Sequence, residues 1–224
     1  MTRRSSLPLP YLSVQNGRIV VLMEAGQKAP LGRPRGFDTE DALEHAMCVF
    51  WQHGYEGASL ADLTSAMGIN RTSMYAAFGN KEELFVRAFQ RYTDGPASYG
   101  LNALQAPTAL RVAAAILEGS VATSTRPGYP AGCLGVQGSL AAGPSAVKVR
   151  EMLSQWRNMA VARLSERFQR AIDEEDLPPH TNPGVLARYV ITVSNGIAVQ
   201  AASGADPDEL RQVAAAALRN WPSP

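Results

Sequence analysis

Apolar residues recur along this chain at helical spacing and long β-branched alternations are missing, so the pattern predicts helices rather than sheet. Leu43, Ala46, Met47 and Phe50 form one stripe, and Asp38 or Thr39 can cap it, giving a helix over 39–53. Leu60, Leu63 and Met67 form the next stripe. Ser59 with Asp62 three residues on makes a capping pair ahead of it, and Gly68 can take the left-handed conformation that ends it. Asn70 caps a shorter helix whose Met74 and Phe78 lie one turn apart and face inward, and Gly79 stops that helix after about two turns. Asn80 with Glu83 is a second capping pair. It opens a helix from about Lys81 to Tyr92, with Leu84, Phe85, Ala88, Phe89 and Tyr92 on one side and Asp94-Gly95-Pro96 at its end.

Further on, Pro107 opens an apolar helix to about Ala122, and the proline- and glycine-rich stretch 125–135 reads as irregular and as a pocket wall. A long helix is predicted from about Ser145 to Glu175, another from Pro183 to Ala202, and a last from Asp206 to Trp221. Before residue 31 the chain shows no periodicity. The domain reading is therefore a disordered extension over 1–31, a helix-turn-helix unit over 32–84 and a helical unit over 85–224, and Met23 offers an alternative start. The fold class is all-α.

A helix as short as the one after Asn70 buries little, so its outward residues Arg71, Thr72, Ser73, Tyr75, Ala76 and Ala77 need another partner. The DNA major groove admits an α-helix and offers guanine to arginine, acceptors to hydroxyls and thymine methyls to small apolar groups. Lys81 sits in the first turn of the following helix, where the dipole disfavours a cation. A phosphate approaching the same amino terminus explains it.

Over Gly32 to Phe85 the chain resembles the TetR family of bacterial transcriptional regulators. The match lies in Gly68-Ile69, Tyr75, Phe78, Lys81 and Leu84, preceded by Phe50, Gly54-Tyr55 and Leu63 at the family's usual offsets. The resemblance implies that Arg71, Thr72, Ser73, Ala76 and Ala77 lie at or near base edges and that Ser59, Tyr75 and Lys81 hold phosphates of double-stranded DNA. Ala76 and Ala77 stand where family members often carry larger residues, so fewer direct base contacts are expected there. The segment Gly132 to Gly143 is similar to one found in a branch of the family.

Charge refines this picture. The net charge is only +1, yet Arg3, Arg4, Arg18, Lys28, Arg33 and Arg35 face Glu24 alone before Phe37, so the remaining chain is acidic. A basic arm ahead of a helical module can reach the minor groove or flanking phosphates, and Arg33 and Arg35 in Gly32-Arg33-Pro34-Arg35-Gly36 are its best candidates.

The helix over 183–202 is apolar around much of its circumference, which calls for cover from a partner chain. With the resemblance, this implies a homodimer on a palindromic operator, with Val193, Ile197, Ala201, Val213, Ala217 and Leu218 at a four-helix interface. A regulator of this kind would enclose a small-molecule effector among its middle helices. Candidate lining groups are Phe89, Tyr92, Tyr99, Tyr129, Cys133, Trp156, Met159 and Tyr189, a mixture without a dense cationic cluster that favours an apolar or aromatic effector. Repression is the family's usual mode. The alternative is a DNA-binding protein without an inducer, whose carboxyl-terminal part serves dimerisation or a protein partner.

Composition agrees with helices: 46% of residues are hydrophobic and 7% aromatic, and no run is expected to reach the length of a membrane span. Cys48 and Cys133 have neither metal-type spacing nor a disulfide framework, consistent with a cytoplasmic protein, and Cys133 is a candidate redox or electrophile sensor. His45, His53 and His180 lack a neighbouring nucleophile motif, and no phosphate-binding glycine loop is present, so neither an enzyme nor a cofactor or metal site is expected.

Overall fold

The structure, a computed structural model, describes residues 11–15, 18–22, 37–140 and 146–223. Ten helices lie among them: α1 (Thr39–Gly57), α2 (Leu60–Ala66), α3 (Arg71–Phe78), α4 (Lys81–Asp94), α5 (Tyr99–Ala103), α6 (Ala109–Ser124), α7 (Leu134–Leu140), α8 (Val147–Asp173), α9 (Pro183–Ala202) and α10 (Pro207–Leu218). The predicted helices are all present. The capping pairs act as their spacing implies: the Ser59 and Asn80 side chains accept from Asp62 N and Glu83 N, and Asp62 and Glu83 reach back to the cap amides.

Four elements differ from the sequence pattern. Strands β1 (Tyr11–Gln15) and β2 (Arg18–Leu22) pair antiparallel inside the segment expected to be disordered. Two residues, Asn16 and Gly17, separate strands in register Gln15 to Arg18, and Asn-Gly is the strongest short hairpin signal; the β-branched Ile19, Val20 and Val21 agree with it. Helix α7 begins where an irregular segment was expected, and α5 is a single short turn after Pro96. Also, α9 is apolar and long enough to cross a membrane by length and composition, contrary to the expectation that no run reaches that length. Its apolar residues include Ala187, Val190, Ile197, Ala198 and Ala201, all buried against the chain's own helices.

Two hydrophobic clusters hold the molecule. The first joins α1 to α4 around Phe50, Trp51, Phe85 and Tyr92, but it also takes in Leu134 of α7 and Val149, Met152 and Leu153 of α8. Phe50 meets Phe85 edge-on at 5.0 Å and Trp51 meets Tyr92 at 4.8 Å. The second lies among α6, α8, α9 and α10. Helix α4 runs across the expected boundary between residues 84 and 85. Its later turns pack continuously onto the carboxyl-terminal helices, where Phe89 contacts Trp156 edge-on at 5.4 Å.

Arg167 of α8 is buried, and it ties the second cluster together through backbone. Its guanidinium donates to the carbonyls of Leu104, Ala106 and Pro107 at 3.3, 2.9 and 3.1 Å, fixing the turn before α6. Asp176 accepts the Ala109 amide at the start of the same helix. Replacing Arg167 with Leu strands three carbonyls, and we expect a loss of roughly 2–4 kcal/mol in chemical denaturation.

Candidate functional site

Helices α2 and α3 form the helix-turn-helix, with Leu63, Met67, Met74 and Phe78 buried between them and α1. Arg71, Thr72, Tyr75 and Ala76 are exposed on the outer side of α3, and Ser73 is half-exposed beside them. Ala77 differs from expectation: it packs against the first cluster, and its carbonyl accepts from Arg87 at 2.9 Å. That leaves Ala76 as the small apolar group on the open face. Ser59 hydroxyl is hydrogen-bonded to Asp62 at 2.6 Å, so in the free protein it serves the cap. Arg33 and Arg35 lie outside the described residues.

Lys81 Nζ stands 4.7 Å from the Tyr55 ring centroid and 3.5 Å from the Glu56 carbonyl. Burial pushes its pKa down from the ordinary lysine value, with Glu56 opposing. The ammonium is thus held against the last turn of α1, while the Lys81 backbone opens α4, whose first-turn amides favour an anion. Arg87 was not foreseen. Its guanidinium stacks 5.0 Å from the Phe78 ring and binds the last turn of α3, so the exposed helix is fastened to α4 from behind. No local spacing signals such a contact, which depends on how α3 folds back on α4.

A second feature lies among α4, α5, α6, α8 and α9: a partly open cavity of about 110 Å³. Tyr99, Cys133 and Trp156 line it, as expected, with Thr93 and Asp94 from the last turn of α4. The other expected lining groups do not. Phe89 and Tyr92 are buried in the first cluster, Tyr129 lies in an open cleft beside α1 and α4, Met159 is not among the wall residues, and Tyr189 faces outward, its hydroxyl donating to the Ala217 carbonyl at 3.0 Å. Arg157 and Arg163 are in the wall, so the expected lack of cations does not hold. They follow Trp156 on α8, the first directly and the second two turns on, a spacing visible in the sequence once the helix is known to face the cavity.

Cys133 receives a hydrogen bond from the Tyr92 hydroxyl at 3.2 Å. Burial raises its thiol pKa above the ordinary value, against several hydrogen bonds that lower it, so the thiol form dominates near neutrality. That environment disfavours the reactivity a sensor cysteine needs.

A polar latch joins α1, α4 and the loop before α7. Arg91 bridges Glu44 and Glu40, the latter at 2.6 Å, and Tyr129 donates to Glu44 at 2.8 Å. Arg126 covers the Tyr129 ring at 4.3 Å. Burial acts to raise the Glu44 pKa, but hydrogen bonds from Arg91 and Tyr129, together with the two guanidinium charges, bring it below the ordinary carboxylate value.

Comparison with known proteins decides the family. The family described as bacterial regulatory proteins, tetR family, matches residues 42–88, and the tetracyclin repressor-like C-terminal domain matches residues 109–218. The chain is 32% identical over 197 residues to the HTH-type transcriptional repressor ComR of Escherichia coli (strain K12), spanning 87% of this chain and 94% of that protein. This chain belongs to the TetR family. It is therefore a DNA-binding transcriptional regulator and not an enzyme. Another relative is the HTH-type transcriptional repressor BdcR of the same strain, 28% identical over 83% of this chain and 90% of that protein. Among solved structures, a cysteine mutant of the TetR family transcriptional regulator CifR, complexed with 26-bp double-strand operator DNA, is 42% identical, with a TM-score of 0.81 over 85% of this chain and 100% of that one.

In this TetR protein the latch sits between the helix-turn-helix and the carboxyl-terminal helices, so its energy bears on their docking. A depressed carboxyl pKa stabilises above the unfolded value, about 4.3 for glutamate, and the benefit disappears as pH falls through the lower folded value. We expect Glu44→Gln and Tyr129→Phe each to cost about 0.5–1.5 kcal/mol near neutrality. The deficit of Glu44→Gln should shrink below about pH 4.3 in thermal melts across a pH series.

Proposed function

We propose that this protein is a repressor that binds a palindromic operator as a homodimer and is released when a small molecule occupies the cavity among α4, α5, α6, α8 and α9. The observation that carries the reading is the course of α4. Its first residue, Lys81, follows two residues after Gly79 ends α3, and Thr93 and Asp94 at its last turn line the cavity. A ligand contacting the far turn can bias the position of the near one, and it lowers operator affinity by its differential affinity for the two arrangements. The complex of CifR with operator DNA supports the DNA half of the reading.

The dimer rests on α9. Val185, Tyr189, Thr192, Gly196 and Val199 form one outward stripe along it, with Val185 66% and Val199 43% exposed, and Val213 of α10 is 50% exposed. This stripe, rather than all the residues expected from sequence, supports a partner helix. Ile197 and Ala201 are buried against the chain's own core, and Val193, Ala217 and Leu218 are half-buried against it; of the six only Val213 is exposed. Apolar character alone does not separate the positions of α9 that α6 covers from those it leaves open. Gly196 has nothing within 4 Å of where a Cβ would stand, so an opposing backbone can approach closely there.

Fluorescence anisotropy on the DNA upstream of the protein's own gene, against a scrambled duplex over a salt series, tests the reading. Sequence-selective, salt-sensitive binding is expected, and equal weak binding to both duplexes, with no selection from random DNA, refutes it. Arg71→Ala should cost about 1–3 kcal/mol and relax preference at one position per half-site, whereas Tyr75→Ala and Lys81→Ala should weaken all sequences and lower the salt slope. Equal losses on cognate and random DNA for Arg71→Ala would remove it as a base reader. Gly196→Arg leaves the monomer core untouched and should shift sedimentation from dimer toward monomer while weakening operator binding. A dimer unaffected by it would place the interface elsewhere.

A further inference from the structure

The two rings of the cavity wall are each accommodated by a missing side chain. A Cβ at Gly119 of α6 would collide with the Tyr99 ring, and one at Gly135 of α7 with the Trp156 ring. Glycine within a helix costs about 1 kcal/mol relative to alanine, so both helices carry a local penalty where the cavity's rings are seated. Leu101, Leu104, Ile116, Leu164 and Ile191 make much of the remaining wall apolar.

Into this wall projects Arg157. Its guanidinium donates to the Gly135 carbonyl at 2.9 Å, and among the described residues no carboxylate lies within ion-pair distance of it. Burial lowers its pKa, which marks a cation partly stripped of water without an anion to replace it. The planar fork of a guanidinium matches a carboxylate in geometry as well as charge. Asp94, the acidic group of the wall, already accepts from Gln90 at 3.0 Å.

We infer that the cavity takes a small organic carboxylate, its apolar body between Tyr99 and Trp156 and its carboxylate paired with Arg157. This names the chemistry of the proposed effector site, and it rests on the repressor reading for its effect on DNA but not for binding itself.

Calorimetry on the full chain with hexanoate, benzoate and phenylacetate, each against its neutral amide, tests the inference. The acids should bind at least about tenfold more tightly than the amides. Arg157→Gln should abolish that preference and Arg157→Lys restore part of it, while Gly135→Ala, which drives the Trp156 ring into the cavity, should weaken every acid. The contrast between acid and amide in the unaltered protein stands even if a variant fails to fold. Equal binding of acids and amides, binding of none of them, or an acid preference that survives in folded Arg157→Gln overturns the inference. The same acids are then added to the operator complex. Binding without loss of operator affinity would refute release by the cavity and leave the ligand class standing.

Discussion

The hydrogen-bond ladder of α4 is the constraint on which the rest of the structure depends. A helix of 14 residues spans about 21 Å, and it cannot bend sharply without a proline, a bulge or an inserted group. Helix α4 has none of these in its interior, so its two ends move together. Its first turn is locked by the Asn80 and Glu83 capping pair, its middle is clamped by Phe85 and Phe89 in the first cluster, and its last turns hold Arg91 in the latch and Thr93 and Asp94 in the cavity wall. Arg87 then fastens the C-terminus of α3 to it. The orientation of the exposed helix therefore follows from α4.

The latch and the cavity share a short stretch of chain. Tyr129 contacts Glu44 of α1, and four residues later Cys133 lines the cavity and receives the Tyr92 hydroxyl. Gly132 between them lies so close to α9 that a Cβ there would press on the Ala198 carbonyl and the Ala202 side chain. A displacement of α9 or of the cavity wall therefore has two routes to α1 and α4: directly through Thr93 and Asp94, and through this loop to Glu44. The second route is a partly exposed set of charges worth little in isolation, yet the carboxylate is shared between a guanidinium and a hydroxyl, so loss of one partner weakens the hold of the other.

What is legible in the sequence is local. Capping pairs, helical stripes and terminating glycines are decided by residues within a turn or two, and they suffice to place α1, α2, α3, α4 and the exposed face of α3. What stays hidden is decided by contacts distant along the chain. Ala77 and Ala76 are identical in type and adjacent, and packing against the first cluster makes one half-buried while the other stays open. Ile197 and Val199 are equally apolar, and only the packing of α9 on the second cluster makes the first core and the second surface. The cavity arginines are in plain view as residues, but their meaning depends on which face of α8 turns inward. The hairpin is the exception, since Asn16-Gly17 is a local signal, but the surrounding prolines and glycines mask strands this short.

The modest open face of α3 sets how such a protein can discriminate and be controlled. With Ala76 as the small apolar group and Arg71 as the cation of that open face, a helix proposed to read base edges distinguishes only a few base pairs. On the proposed reading much of the affinity comes from phosphate contacts, which depend on distance and salt more than on sequence. Phosphate contacts made by two heads in a proposed dimer are satisfied together only when the heads are one helical turn of DNA apart, about 34 Å. A protein that relies on spacing more than on base readout can be switched by a change of spacing alone. A rigid α4 with its far end in a cavity wall suits that task better than any rearrangement of α3, because the helix-turn-helix core of Leu63, Met74 and Phe78 is too well buried to repack cheaply.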